Sequence, residues 1–272
     1  MSLGDLRKPI RRVISTENEF TAKRVLRRFR SGPETPLNVL VHAGVWKTAS
    51  QWIRLVLTDP RLYDFHDLLP ASTQDLGSER RKALYTPYFG HPDDLPGRIR
   101  GKVGYLVVVR EPASQFVSWY VSTRYTHVPT KGVLQIRQEM EGMSDLQGAF
   151  YFLENYFGEI AEIYNGWNSI SLRSEIEFLD FDQLRENPAD ALEVTLSQLG
   201  WRIDRERLQR VCDFYHRDKL EPRFTASPSK YQSRELAPTV RAHDWSTEIV
   251  TRYDGVFEDY ESMRSQAYSE VH

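Results

Sequence analysis

Apolar runs of strand length alternate with helical patterns along the chain from Leu37 onward. The runs read LNVLVHA, ALYTPYF, VGYLVVV and EIEFLDF, and loops or amphipathic helical segments separate them. Because parallel strands are joined by crossover helices, this alternation predicts an α/β fold of three layers with a central parallel sheet. The third run is apolar at nearly every position, which is typical of a strand covered on both faces.

The pattern changes towards both ends of this region. Residues 185–215 have helical periodicity, with an apolar stripe of leucines and Gly200 at a plausible helix end. The stretch from Glu221 to His243 has no period and predicts a long loop, and such loops are often functional. Residues 1–36 carry nine Lys or Arg against four acidic residues. We therefore expect a basic N-terminal extension over residues 1–36 and a single domain over residues 37–272.

Composition narrows the class of protein. A net charge of -2 and a pI near 6.4 provide no global field that would attract nucleic acid. One cysteine, Cys212, rules out an internal disulfide framework, and no apolar run approaches the roughly 20 residues that span a bilayer. Residues 1–5 lack the pattern of a signal peptide, so we expect a cytoplasmic protein. The basic extension is either a solvated helix or a peripheral contact with an anionic membrane or partner.

The first candidate site is the stretch VLVHAGVWKTASQW, in which a strand is followed by a polar loop and a helix. It departs from the phosphate-loop pattern G-x-x-x-x-G-K-[ST], because no second glycine precedes Lys47. Backbone N–H groups and the helix dipole at such a turn suit a phosphate, and Lys47 adds a positive charge. The hydroxyls of Thr48 and Ser50 can donate to phosphate oxygens, and the indole of Trp52 could stack on a purine. A core Trp and a surface Lys are the alternative.

The second candidate site is the stretch VVVREPASQFVSWY. Arg110 follows the third apolar run, at the carboxyl edge of the predicted sheet where ligands bind. Pro112 suits the first turn of a helix, and Ser118 follows Arg110 by about two helical turns. Arg110 and Ser118 could therefore close on one phosphate.

Together the two stretches resemble the sulfotransferases that use 3'-phosphoadenosine 5'-phosphosulfate (PAPS). The family pattern P-K-S-G-T-T-W corresponds to WKTASQW, and R-N-P-R-D-x-x-x-S-x-Y corresponds to REPASQFVSWY. A third stretch, FLDFDQLRENP, is similar to the family's Y-E-D-L-K-x-x-P. The resemblance covers Leu37 to Tyr260 and implies a P-loop NTPase-like sulfotransferase architecture. It also implies transfer of a sulfuryl group to a hydroxyl or amine of a small-molecule, lipid or carbohydrate acceptor.

The resemblance implies a role for each matching residue. Lys47 would contact the leaving phosphate oxygens, Trp52 and Phe181 would lie near the adenine, and Arg110 with Ser118 would clamp the 3'-phosphate. The loop residues that would form the cradle for the 5'-phosphate are Thr48, Ala49, Ser50 and Gln51. Ala49 replaces a glycine of the family, and its Cβ would hinder close backbone approach if that position needs φ > 0.

The family's third phosphate-binding segment is altered in this chain. The family places an R-K-G triplet shortly before G-D-W, and here Asp244 and Trp245 match while Pro238, Thr239 and Val240 occupy the triplet. The cations that complete the clamp must then come from neighbours, and the available residues are Lys230, Arg234 and Arg241.

Sulfuryl transfer to a hydroxyl needs a base, and histidine is best matched to neutral pH. His91, in YTPYFGHPDDLP, resembles the histidine of the family's K-T-H-x-P segment and is the first candidate. His66 and Glu79 are alternatives, whereas His42 lies within a strand and is expected to be a core residue. No metal is expected, because Lys and backbone N–H groups can stabilise the transferred group.

Two other functions stay open at this point. A small-molecule P-loop kinase is disfavoured by the missing G-K-[ST] sequence, and an inactive sulfotransferase-like binding protein is consistent with Ala49. Residues 61–80 and 124–148 are expected to line the acceptor site without revealing the acceptor. The family's dimer motif K-x-x-x-T-V is not recognisable after Trp245, so the oligomeric state is open.

Overall fold

The core of the protein is a five-stranded parallel sheet. The computed structural model describes residues 36–73, 82–95, 101–173, 175–216 and 236–269, together with Ala22 and Val25. The strands are β1 (Val39–Gly44), β2 (Leu69–Ala71), β3 (Ala83–Phe89), β4 (Val103–Val109) and β5 (Ile176–Asp180). All paired strands are parallel, in the order β2-β3-β1-β4-β5. The four predicted strands and the parallel α/β class are confirmed.

Helices connect the strands and form the outer layers. Those in the described residues are α1 (Ser50–Leu57), α2 (Pro112–Val121), α3 (Lys131–Glu139), α4 (Asp145–Tyr156), α5 (Gly158–Ser169), α6 (Phe181–Glu186), α7 (Pro188–Gln198), α8 (Arg205–Phe214), α9 (Pro238–Ala242), α10 (Trp245–Arg252) and α11 (Val256–Ser269). A π-helical turn, Ser122–Thr126, extends α2. None of the helices in the described ranges is long and apolar enough to cross a membrane.

Apolar side chains cover both faces of the sheet. Val41 and Ala43 point to one face, where they pack with residues such as Phe116 of α2. Leu40 belongs to the opposite apolar cluster, which includes Leu57 of α1. Since successive side chains of a strand alternate between faces, these two clusters define the helix–sheet–helix layers that the sequence predicts.

Three details differ from the sequence-based expectations or lie beyond them. The helical stretch predicted over residues 185–215 is three helices, the first of which already begins at Phe181, and Gly200 has a φ of 84° after α7. The last part of the predicted long loop forms the short helix α9, while residues 217–235 lie outside the described residues. The sequence pattern does not predict the three-residue edge strand β2. The extension over residues 1–36 lies almost wholly outside the described residues, so that domain boundary stays a prediction.

The strand order determines where a ligand can bind. The chain leaves β1 for β2 and β3 on one side and then crosses to β4 on the other side. In open parallel sheets, such a reversal leaves a crevice at the carboxyl ends of the two strands. The turns that follow β1 and β4, with Lys47 and Arg110, therefore meet at this edge.

Candidate active site

The β1–α1 turn has an unusual backbone conformation. Lys47 has a φ of 72° and Ala49 has a φ of 58°, so two residues that are not glycine lie in the left-handed region. Such a conformation costs about 1–2 kcal/mol for an L-residue. Ala49 is also the N-cap of α1 and provides no side-chain cap. The sequence predicts that Ala49, which replaces a glycine of the family, hinders close backbone approach if its φ is positive. Its φ is positive in the structure.

The hydroxyl groups of this turn bond within the turn. Thr48 Oγ1 donates to the carbonyl of Val45 at 2.7 Å and lies 3.1 Å from Ser50 Oγ. Because Thr48 has a single hydroxyl hydrogen, Ser50 is the donor in the second contact. The donors that this conformation leaves for a phosphate are the first backbone N–H groups of α1, which have no acceptor within the helix. Gln51 is exposed, and its Oε1 accepts a hydrogen bond from Arg54.

Arg110 connects the ends of β1 and β4. Its Nη1 donates to the carbonyl of Lys47 at 2.8 Å, and its guanidinium lies 4.2 Å from the ring centre of Phe181. Burial lowers the pKa of Arg110, but an arginine remains charged. Its Nε is buried and has no hydrogen-bond partner in the described part of the chain. A buried donor on a cation without an acceptor is costly, and a bound anion would remove that cost.

A buried network that the sequence did not reveal fixes these two turns. Gln115 of α2 is fully buried, and its Nε2 donates to the carbonyl of Trp46 at 3.0 Å. Its Oε1 lies 2.7 Å from the hydroxyl of Tyr164, which also accepts from the backbone N–H of Arg110 at 3.1 Å. Burial raises the pKa of Tyr164, so the phenol keeps its proton. In the sequence, the only indication of this network is the polar residue Gln115 next to the apolar residue Phe116 in the segment that forms α2.

A cavity of about 600 Å³ opens between these turns and the C-terminal helices. Four of the predicted phosphate-binding residues line it, namely Lys47, Arg110, Ser118 and Arg241. Two carboxylates also line it, but both cap helices. Glu111 accepts from the backbone N–H groups of the first turn of α2, at 2.9 and 2.6 Å, and Asp244 accepts from the first turn of α10 at 3.0 Å. The cationic side chains and the hydroxyl of Ser118 therefore make the cavity suitable for an anion.

The predicted adenine-binding residues do not line the cavity. The indole N–H of Trp52 donates to the carbonyl of Tyr215 at 3.0 Å, so Trp52 connects α1 to the end of α8. The ring of Phe181 packs under the guanidinium of Arg110. Arg234, the other predicted clamp residue, and Lys230 lie outside the described residues.

The histidines occupy different environments. His91 does not line the cavity: its Nδ1 accepts from the backbone N–H of Asp93 at 3.2 Å, and its ring packs against Gly166 of α5. His66 is buried and stacks on Trp201 at 4.4 Å. Glu79, the third candidate base, lies outside the described residues.

His42 is a core residue, as the sequence predicts. It is fully buried in β1, and its Nδ1 lies 2.7 Å from the hydroxyl of Thr86. Burial lowers the pKa of His42 to about 3. The ring is therefore neutral in the folded protein over the whole physiological range.

The fold and this site define the class of protein. Residues 49–246 of the 272-residue chain match the family model described as "Sulfotransferase domain". The chain therefore belongs to the sulfotransferase family, and the sulfotransferase predicted from the sequence is confirmed.

Solved structures agree with this fold. The chain is similar to mouse sulfotransferase SULT7A1 complexed with PAP, at 13% identity, with 93% of this chain and 95% of that chain covered and a TM-score of 0.53. It is also similar to retinol dehydratase in a complex with retinol and PAP, at 12% identity, with 84% and 82% covered and a TM-score of 0.51. At these identities the likeness concerns the fold. No curated protein sequence matches the chain significantly.

Proposed function

We propose that this sulfotransferase takes its sulfuryl group from PAPS and transfers it to a hydroxyl or amine of a small-molecule, lipid or carbohydrate acceptor. The observation that carries the proposal is the cavity in which Lys47 and Arg110 meet, with a buried Arg110 Nε that lacks an acceptor among the described residues. PAP is the nucleotide in the structures of mouse SULT7A1 and retinol dehydratase to which the chain is similar.

The residues of the cavity fit the two phosphate groups of this donor. The 5'-phosphate would lie on the N–H groups of Thr48, Ala49, Ser50 and Gln51 at the start of α1, because a helix N-terminus favours an anion. Arg110 and Ser118 would hold the 3'-phosphate, and Arg241 with Arg234 would complete the clamp. Trp52 and Phe181 would flank the adenine.

Lys47 would perform the electrostatic part of the reaction. As the acceptor oxygen bonds to sulfur, the bond between sulfur and the bridging oxygen breaks, and negative charge develops on the leaving phosphate. Lys47 and the N–H groups of α1 would stabilise this charge. A preorganised donor acts most strongly on charge that appears only in the transition state.

His91 is proposed as the base that takes the acceptor proton, because it follows β3 at the carboxyl edge of the sheet. Loss of a base typically lowers the rate by roughly 10²–10⁴-fold. The test is a comparison of kcat for His91→Ala, His66→Ala and Glu79→Ala. If His91→Ala keeps full kcat and one of the other variants does not, the base is that other residue.

Calorimetry with adenosine 3',5'-bisphosphate and with ATP, followed by an assay with PAPS, tests the proposed donor. Tight binding of the bisphosphate, weak binding of ATP and sulfation of an acceptor in an untargeted product search are the expected results. Binding without turnover against broad acceptor panels would indicate an inactive relative. Tight binding of ATP with phosphorylated products would instead indicate a kinase.

The location and peripheral contacts of the protein also belong to this proposal. A cytoplasmic location is supported by the single cysteine, and a peripheral contact by the nine cations of residues 1–36. Sedimentation of the full chain with anionic and with neutral vesicles tests the contact. Equal sedimentation with both kinds of vesicle would contradict it.

A further inference from the structure

His243 lines the same cavity as Lys47 and Arg110, although the resemblance assigns it no role. It directly follows α9 and is separated from α10 by the N-cap Asp244, and its side chain is 30% exposed. Its ring lies 4.5 Å from that of Trp245 and 5.4 Å from that of Phe150, measured between ring centres. Two aromatic neighbours therefore fix the position of this imidazole at the wall of the cavity.

The two nitrogens of His243 have different surroundings. Nε2 is buried and lies 3.5 Å from Glu248 Oε1, on the first turn of α10. Glu248 is itself held by Arg252, whose Nη1 lies 2.8 Å from Glu248 Oε2. Nε2 makes no hydrogen bond with Glu248 at this distance, and neither ring nitrogen has a hydrogen-bond partner among the described residues. Nδ1 is not among the buried atoms without a partner, so it is the more accessible nitrogen of a side chain that lines the cavity.

Charged groups surround His243 from several elements, and the described residues that line the cavity itself include three cations and two carboxylates. The cations that line the cavity are Lys47 from the β1–α1 turn, Arg110 from the end of β4 and Arg241 from α9, and the carboxylates that line it are Glu111 and Asp244. Glu248 of α10 does not line the cavity and is paired with Arg252, while α4 contributes the uncharged Phe150. Glu111 and Asp244 are occupied as helix caps. The walls of the cavity therefore carry a net positive charge, which favours a negatively charged ligand that accepts hydrogen bonds.

We propose that His243 is an additional ligand of the 3'-phosphate, and that it binds this group as an imidazolium, so that nucleotide binding takes up a proton. The inference rests on the proposed function. A phosphate dianion only accepts hydrogen bonds, so Nδ1 must carry a hydrogen to contact it. A second hydrogen on Nε2 would lie on the side of Glu248 Oε1, which is 3.5 Å away. With both nitrogens protonated, the ring bridges the phosphate and Glu248.

This role accounts for the altered segment before α10. The family's R-K-G triplet is absent, since Pro238, Thr239 and Val240 occupy its positions. His243 lies three residues after Val240 and faces the same cavity as Arg241. A protonated histidine replaces part of the missing permanent charge, and the replacement depends on pH where an arginine would not.

The test is calorimetry of adenosine 3',5'-bisphosphate binding to the full chain at about pH 7.5, in two buffers of different ionisation enthalpy. The dependence of the measured heat on the buffer counts the protons taken up. At this pH a phosphate monoester, whose second pKa is about 6, is already a dianion and releases few protons. We expect net uptake approaching one proton for the unmodified chain. Adenosine 5'-monophosphate, which has no 3'-phosphate, should cause much less uptake.

Substitutions identify the group that takes up the proton. His243→Gln should abolish most of the uptake and weaken the bisphosphate about tenfold at about pH 6.5, with a smaller loss at about pH 8.5. Glu248→Gln keeps the imidazole and should reduce the uptake. His127→Gln, which changes an exposed histidine outside the cavity, is the matched control and should behave like the unmodified chain.

The outcomes separate this inference from the proposed function. If the unmodified chain does not bind the bisphosphate, both are wrong. If it binds the bisphosphate but His243→Gln keeps the same affinity and proton uptake at every pH, only the role of His243 is wrong. Thermal unfolding shows whether His243→Gln is folded, and if it is not, unchanged proton uptake in Glu248→Gln overturns the inference.

Discussion

The turns after β1 and β4 are both strand-to-helix turns at one edge of the sheet, but they present different groups to the cavity. The β1–α1 turn has two left-handed residues, and the N-cap of α1 makes no side-chain hydrogen bond. The β4–α2 turn has Pro112 in the first turn of its helix and the carboxylate of Glu111 on its first N–H groups. The first helix thus leaves its N-terminus open, and the second closes it.

Under the proposed function, the two turns would hold their phosphates in different ways. An open helix N-terminus offers backbone N–H groups and a dipole, which suits a group that lies on the turn itself. A closed N-terminus offers no such donors, so the anion must bind to a side chain such as Arg110. The strain at Lys47 and Ala49 is consistent with a turn shaped for close contact with a ligand, because strained backbone clusters at such sites.

The largest expected effect comes from Lys47, the cation of the β1–α1 turn, where the helix N-terminus is open. Lys47→Ala should leave a folded protein that has lost about 10²–10³-fold in kcat, because one donor to developing charge is worth about 3–4 kcal/mol. Steady-state assays with PAPS measure the loss. Lys131→Ala, an exposed lysine at the start of α3, is the control. A kcat near that of the unmodified chain would refute the assignment of Lys47.

A smaller effect on nucleotide binding is expected at the β4–α2 turn, where Glu111 closes the helix N-terminus. Arg110→Lys keeps a positive charge but removes the fixed fork that reaches the carbonyl of Lys47, the ring of Phe181 and the anion. We expect adenosine 3',5'-bisphosphate to bind about 10–100-fold more weakly, and adenosine 5'-monophosphate to be much less affected. Arg185→Lys, on an exposed arginine of α6, is the control. Equal losses for both nucleotides would contradict the assignment of Arg110 to the 3'-phosphate.

The strands that lead into the two turns also differ. β4 contains no histidine, whereas β1 carries the buried His42. In the unfolded chain a histidine binds a proton as the pH falls through about 6.5, but His42 in the folded protein stays neutral down to about pH 3. The contribution of His42 to the free energy of unfolding is therefore complete above about pH 6.5 and decreases as the pH falls from there towards about 3.

The size of this effect is testable by urea unfolding at several pH values. The unmodified chain should lose up to about 1.4 kcal/mol more stability per pH unit between about pH 6 and about pH 4 than His42→Gln. His127→Gln, which removes an exposed histidine, should keep the slope of the unmodified chain. An identical slope in His42→Gln would show that His42 does not stay neutral.

The sequence predicts the residues that line the cavity and are proposed to bind the donor, but not the residues that position them. Lys47, Arg110 and Ser118 occur in contiguous motifs next to strands, so periodicity and resemblance place all three at the cavity. Gln115 and Tyr164 lie far apart in the sequence, and their hydrogen bonds exist only once α2 and α5 pack on the sheet. Local patterns cannot predict such long-range pairs.

The same limit applies to the hydroxyls and to the histidines. The composition of the first turn predicts donors at Thr48 and Ser50, but the left-handed backbone turns both hydroxyls into the loop. The sequence predicts His91 from its place in the chain, but packing against Gly166 determines where its ring lies. His243 has no motif of its own, and only tertiary structure brings it to the cavity.

The smallest expected effect is at the strained N-cap of the open turn. Ala49→Gly removes a Cβ from a left-handed residue and should stabilise the fold by up to about 1 kcal/mol, because the relief of strain exceeds the entropy that glycine gains in the unfolded chain. It should also bind adenosine 3',5'-bisphosphate at least as tightly, since the family carries glycine there. Urea unfolding and calorimetry measure both quantities. Ala113→Gly, in the first turn of α2, is the matched control and should be destabilised, since that alanine is helical and unstrained. If Ala49→Gly loses as much stability as Ala113→Gly, the turn is not strained at Ala49, and the two turns differ only in their caps.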